Sequence, residues 1–541
     1  MSTTITPGGT FTLTTSLELS VPAVISMLHQ AEEQNSATMM FRSEAVLVHT
    51  VRGTARANRV RSMVVVCWDD QLLAAKLAVS ASGARNTEVF SAGARREEPL
   101  LRRITAARKF ADGWRGGLGG ACQFDLGFSA RVVSQFATHT TGVLILPAEN
   151  AFIDPILIDE VVRRHEEHPE LDIVFTQAPP GLGALCLSCD ALARLTKAGA
   201  HPGRLLSYQP DAPQHDPASS KSCVPIAASV ARCLERYDLS TPQQIERLAG
   251  VSFGDAEQVV QQALPARQLP AEVMIELSSR RSSRPIFEPV AYTTLNRDDM
   301  TLELAEKIFR QLAGGTRVVF AGTGDPLLHT QFTQIINCAK RCGVDSIAVE
   351  TDLLDLPAET LTTLTSGMID VVAVHLPAAT AETYQRAMGV NSLGLVLENL
   401  KKLCTSALAA GIPVVTPVFT KLSLNLEEME AFYDHFIRTL GAAVVRGPSN
   451  CAGQLPDVAA IDMTPPKRVP CRRLASRMTV WSDGTVPLCE NDIHGSVALG
   501  HVARESIATI WGKAFHPVRQ AHTTGSSLPL LCQTCNDWDR P

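Results

Sequence analysis

Val318-Val319-Phe320-Ala321-Gly322-Thr323-Gly324-Asp325-Pro326-Leu327-Leu328 reads as a buried strand running into a loop of two glycines, a carboxylate and a proline. An unbroken apolar run suits a strand covered on both faces, as in a parallel sheet. Glycines after such a strand let backbone approach a ligand closely, and a carboxylate there can accept an amine. Working outward, strands are expected at 272–278, 317–321, 346–350, 370–376, 413–419 and 442–446. Between them lie helices with apolar spacing of three and four, such as 302–312 and 393–410. Six strand–helix units in this order imply a partial (β/α)6 barrel of the TIM type, with its chemistry in the loops after residues 278, 321, 350 and 376.

The first half alternates as well. Strands are expected at 63–68, 142–146 and 172–176, with helices at 99–111 and 156–168 between them. This spacing implies a mostly parallel three-layer α/β domain. Residues 208–217 read as a long polar loop and 222–265 as helical. The expected organisation is an N-terminal extension over 1–60, an α/β domain over 61–220, a helical linker over 221–270, the partial barrel over 271–450 and a small cysteine-rich domain over 451–541.

Bulk properties narrow the function classes. A chain of 541 residues exceeds one core, and 45% apolar with 19% charged residues is globular composition. A net charge of −6 gives no basic footprint for nucleic acid. No apolar run reaches the roughly 18 residues of a membrane span, and the first 20 residues lack a signal pattern. Fourteen cysteines without such a signal point to reduced thiols or metal ligands, and so to the cytoplasm.

The C-terminal segment places Cys471, Cys489 and a Cys532-x-x-Cys535 pair around the strand-like 478–481 and the turn 482–485. Four thiolates from a hairpin and a closing C-x-x-C suit either a tetrahedral zinc or a 4Fe-4S cluster. Cys451 is an alternative ligand. Cys338 with Cys342, and Cys186 with Cys189, read as packing. A glycine-rich loop, Trp114-Arg115-Gly116-Gly117-Leu118-Gly119-Gly120, has backbone amides that suit phosphate, though it also reads as a turn.

From Glu272 to the C-terminus the sequence resembles a radical SAM enzyme with a SPASM-type C-terminal domain. Val318–Leu328 is similar to the family's GGEP segment, which cradles the amine of S-adenosylmethionine. Ala373-Val374-His375-Leu376, followed by Glu382-Thr383-Tyr384 and Gly389, resembles its fourth-strand region. Thr479-Val480-Trp481-Ser482-Asp483-Gly484-Thr485-Val486-Pro487-Leu488-Cys489, with Leu499-Gly500-His501-Val502, Ile510-Trp511, Arg519 and Cys532-x-x-Cys535, resembles the SPASM pattern. The resemblance implies one auxiliary 4Fe-4S cluster on Cys471, Cys489, Cys532 and Cys535. It also implies S-adenosylmethionine contacts from Gly322, Gly324 and Asp325.

One departure matters. The family's C-x-x-x-C-x-x-C loop should follow the first strand, and Arg281, Pro285 and Glu288 stand at its spacing with no cysteine between. The radical-generating cluster cannot form there by its usual ligands. The first domain more faintly resembles a GT-A-type nucleotidyltransferase through Leu144-Ile145-Leu146-Pro147-Ala148-Glu149-Asn150-Ala151-Phe152-Ile153-Asp154-Pro155, with Glu149 where an aspartate holds a divalent cation.

Three functions stay open. One is a degenerate radical SAM homologue that keeps its auxiliary cluster and partners an active radical SAM enzyme or a redox protein. Another is sugar-nucleotide or polysaccharide chemistry on the N-terminal domain, with a small-molecule ligand. The third is a zinc-stabilised scaffold without catalysis.

Overall fold

Among the described residues, two seven-stranded sheets organise the chain. The structure, a computed structural model, describes residues 21–29, 35–96, 99–110, 129–137, 140–233, 235–312 and 315–540. The glycine-rich loop 114–120 lies outside the described residues. Described residues up to 96, with those from 129 to 265, form one unit; residues 99–110 belong with those from 266 onward in a second.

The first unit contains β1 (Ala23–Ser26), β2 (Met63–Cys67), β3 (Thr87–Ser91), β4 (Gly142–Pro147), β5 (Ile173–Thr176), β6 (Leu185–Ser188) and β7 (Cys223–Val224). Their order is β3-β2-β1-β4-β6-β5-β7. Neighbours run parallel except β6, which is antiparallel to β4 and β5. All four residues of β1 are buried between β2 and β4. The stretch expected as an N-terminal extension therefore supplies the central strand, and helix α1 (Val46–Thr54) with it. Four-residue β1 is too short to announce itself by period, and its pairing with β2 and β4 is long-range. Pro155–Glu167 forms α2, and its cap, Asp154, accepts from Ile156 N at 2.8 Å and from Ala256 N at 2.7 Å. That second bond ties the expected linker segment onto the sheet domain.

In the second unit, β8 (Glu272–Ile275), β9 (Arg317–Phe320), β10 (Ile347–Thr351), β11 (Val371–His375), β12 (Val414–Thr420) and β13 (Val444–Arg446) lie side by side in sequence order, every neighbour parallel. These are the six strands expected of a partial barrel. Val318, Val319 and Phe320 are fully buried. Each such side chain contributes about 1.5–3 kcal/mol by leaving water.

A seventh strand was expected elsewhere. Arg477–Val480, read as half of a hairpin, instead extends the barrel sheet as β14, parallel to β8. The turn at 481–485 then leads to β15 (Thr485–Pro487), which pairs antiparallel with β16 (Ala498–His501). Glu272 secures the new edge: its carboxylate accepts from Arg477 Nε at 2.8 Å and Arg317 Nε at 3.4 Å. The cysteine-rich segment is thus built onto the barrel sheet.

The helix expected at 99–111 also changes place. Helix α3 (Pro99–Lys109) packs with the second unit, against β12 and the helix Leu393–Ala410. Lys109 Nζ reaches Asp370 Oδ1 at 2.9 Å and the Asp345 carbonyl at 2.7 Å. Gly411 ends the Leu393–Ala410 helix so near α3 that a Cβ there would stand 2.2 Å from the Pro99 carbonyl oxygen. Periodicity gives the helix, but only tertiary contacts give its owner. Among the described residues no helix is long and apolar enough to cross a membrane.

Candidate functional site

Strand order brings the ends of β8 to β13 to one mouth, where polar side chains at strand C-termini can face a ligand. The loop after β8 enters this mouth with Arg281, whose side chain is 2% exposed. Its Nε and Nη2 donate to the two Asp352 oxygens at 2.8 and 2.6 Å, and Nη1 lies 3.8 Å from Glu288. Ser283 Oγ also donates to Asp352. Burial acts to raise the Asp352 pKa, but the Arg281 charge and hydrogen bonds prevail and hold it well below the usual carboxylate range.

His375, at the end of β11, continues the network. Its Nδ1 lies 3.0 Å from Asp352 Oδ1, and its Nε2 3.4 Å from Glu350 Oε2. Arg446, on β13, places Nη2 3.0 Å from His375 Nε2 and Nη1 3.5 Å from Glu350 Oε2. Burial favours the neutral ring, yet hydrogen bonds to Asp352 and Glu350 raise its pKa overall. Arg281 and Glu288, two of the three residues at the expected cysteine spacing, therefore sit in an ion network. Pro285 anchors the adjoining loop, where Glu288 N donates to its carbonyl at 2.9 Å.

The glycine loop after β9 packs against the loop after β8. A Cβ on Gly324 would meet the Ser278 carbonyl oxygen at 2.1 Å, and one on Gly322, whose φ is +145°, would meet Glu276 at 2.9 Å. Asp325 accepts from Leu327 N, Thr351 Oγ1 and Asp352 N at 3.0, 2.8 and 2.9 Å. Burial first, then the Asp352 charge, raises its pKa. All three residues line the mouth cavity, together with Arg281, Asp352, His375 and Arg446. Beside them Glu276 binds Arg297 through two contacts at 2.6 and 2.8 Å, and the Arg297 guanidinium lies 4.6 Å from the Trp481 ring.

The four cysteines meet elsewhere. Cys471 precedes a short helix, Arg472–Ser476; Cys489 follows β15; Cys532 lies in Leu530–Gln533, with Cys535 just beyond. All four line one cavity with Arg468, Arg473, Asn491, His522 and Trp538. Burial raises the Cys489 and Cys535 pKa values and pushes Cys532 up to about 12. A metal must displace these protons to take thiolate ligands. Cys535 Sγ accepts from Asp537 N at 3.3 Å, and buried Arg473 pairs with Glu490 at 3.2 Å beside the thiols. Four thiols lining one cavity, with Arg468 and Arg473 beside them, are the donor set that a thiolate-bound metal group needs. Among the described residues no three His, Cys, Asp or Glu side chains are grouped to hold one metal ion.

Cys451 lines the mouth cavity, apart from the other four. Cys186 is buried in β6, and Cys189 Sγ donates to the Thr140 carbonyl at 3.1 Å. In the first unit, Glu149 Oε1 lies 2.9 Å from His29 Nε2, both side chains buried at the ends of β4 and β1. Sequence reasoning missed Asp352, Glu350, Arg446, Arg473 and His522. For the mouth, the available signal was the polar residue that closes several apolar strands, such as Thr351, His375 and Arg446.

Residues 287–436 match the family model of the radical SAM superfamily, and residues 471–536 that of an iron–sulfur cluster-binding domain, SPASM. An uncharacterized protein of Treponema pallidum (strain Nichols) is 25% identical over 295 residues, covering 50% of this chain and 79% of that protein. Among solved structures, Streptococcus suis SuiB bound to precursor peptide SuiA is 14% identical, covers 51% of this chain and 71% of that one, and gives a TM-score of 0.39. A cytidylyltransferase from Leptospira borgpetersenii serovar Hardjo-bovis (strain JB197) is 11% identical, covers 45% and 92%, and gives 0.29. Over these two stretches the chain is similar first to the radical SAM superfamily and then to an iron–sulfur cluster-binding domain.

Proposed function

We propose that this chain is a cytoplasmic iron–sulfur protein that keeps one auxiliary 4Fe-4S cluster and does not start radical chemistry by the usual route. The observation that carries this reading is Arg281, held by Asp352 where the family's loop would carry its first cysteine. An arginine cannot ligate iron, and here its guanidinium and the facing carboxylate fill part of the mouth. Cys471, Cys489, Cys532 and Cys535 would hold the remaining cluster. With every iron bound by protein, such a cluster supplies electron transfer or structural support, not a site for substrate.

Support for a cluster over a single zinc comes from the match of residues 471–536 to the family model of an iron–sulfur cluster-binding domain, with all four thiols lining one cavity. Gly322, Gly324 and Asp325 shape the mouth for a small ligand, S-adenosylmethionine among them, although their present partners are the neighbouring loops. The reading also favours association with an active radical SAM enzyme or a redox protein.

Anaerobic purification with iron, sulfide and zinc analysis tests this. About four irons and four sulfides, lost in Cys489→Ala, are expected; one zinc with no sulfide would overturn it. A second reading, nucleotidyl transfer by the first unit, is favoured by His29 and Glu149. They stand where the sheet order reverses at β1 and β4, the place where open α/β sheets take ligands. No metal-dependent nucleotide binding, and no pyrophosphate release with any nucleoside triphosphate, would sink it.

A further inference from the structure

His522, on the helix Phe515–Thr524, lines the four-cysteine cavity and is 8% exposed. The Cys471 backbone N–H donates to its Nδ1 at 3.4 Å. That bond fixes the tautomer: a neutral ring with Nδ1 as acceptor carries its proton on Nε2. Nε2 is buried and has no hydrogen-bond partner in the protein. A buried donor without an acceptor carries a desolvation cost, which a bound group supplying an acceptor would remove. Beside four thiols, the acceptor that a bound cluster brings is sulfur.

We infer that His522 Nε2–H hydrogen-bonds a sulfur of the auxiliary cluster and sets its reduction potential. The inference rests on the proposed cluster. His522 is a positioning and tuning residue, not an iron ligand: with Nδ1 accepting from the Cys471 N–H, Nε2 carries the proton and has no lone pair to offer iron. Hydrogen bonds to cluster sulfur favour the reduced, more negative state and so raise the potential. Cys535 already accepts from Asp537 N and, at 3.9 Å, from Asn491 Nδ2. His522 would add a donor from the opposite chain segment, and with it a bond from the ligand loop of Cys471 through one imidazole to the cluster.

Two substitutions separate the nitrogens. His522→Asn keeps an acceptor for the Cys471 N–H and removes the distal donor; His522→Gln keeps a distal N–H and gives up the acceptor. Both are made in the full chain and loaded anaerobically, and iron and sulfide are counted before redox titration. The Asn variant is expected to load normally and to be about tenfold harder to reduce, a shift of about 59 mV for one electron. It should also lose an exchangeable proton coupling in the ENDOR spectrum of the reduced cluster. The Gln variant should keep both near wild type. Wild-type protein without iron and sulfide defeats the cluster itself and this inference with it. A loaded Asn variant with unchanged potential and proton coupling, or a Gln variant shifted as far as Asn, overturns the tuning role alone. An Asn variant that folds but binds no cluster makes His522 a structural requirement and likewise overturns it.

Discussion

Arg281 and Asp352 form a two-pronged ion pair, 2.8 and 2.6 Å, with side chains 2% and 1% exposed at the mouth of the partial barrel. Removing one partner of such a pair leaves the other charge buried and uncompensated.

Asp352→Asn should therefore destabilise the protein by about 3–5 kcal/mol, while Arg281→Met with Asp352→Leu should restore much of that. Denaturant unfolding followed through the barrel domain measures both. A single variant within about 0.5 kcal/mol of wild type would show that the pair does not hold the mouth.

His375 gives the mouth a pH dependence. Its folded pKa is raised above the ordinary 6.5 by Asp352 and Glu350, against burial. A raised pKa means that this stabilisation is fully present below about pH 6.5 and is lost as pH rises through the folded value. Melting temperature should fall over that rise in wild type and be flatter in His375→Gln. The same slope in both proteins would remove His375 from the network.

Gly324→Ala tests why the glycine loop has no side chain there. The added methyl would stand 2.1 Å from the Ser278 carbonyl oxygen and 2.6 Å from that of Arg280, both backbone. Overpacking of this kind costs about 1–3 kcal/mol. The loss should appear without any ligand, by calorimetry. An unchanged melting temperature would mean that the loops after β8 and β9 do not pack this closely.

Helix α3 belongs with the barrel although it precedes residues of the first unit. Ile104 is fully buried on it. Ile104→Ala should cost about 2–5 kcal/mol and speed amide exchange in Val414–Thr420 of β12, leaving Ala23–Ser26 of β1 unchanged. Faster exchange in β1 alone would return the helix to the first domain.

Much of this architecture was legible in sequence because it is local. All six barrel strands carry continuous apolar runs, and the four cysteines are recognisable by type and spacing. What escaped depends on pairing across the chain. Arg281 finds Asp352 71 residues later, and Arg477–Val480 joins β8 rather than the strand that follows it. An apolar four-residue strand carries no mark of which edge it will complete. His522 was silent for the same reason: its meaning lies in the Cys471 N–H, 51 residues away.

The count of iron and acid-labile sulfide per chain after anaerobic reconstitution tests the one-cluster proposal most directly. About four of each is expected, one cluster on Cys471, Cys489, Cys532 and Cys535. About eight of each, with 5′-deoxyadenosine formed from S-adenosylmethionine under reducing conditions, would contradict it by placing a second cluster in the mouth beside Arg281.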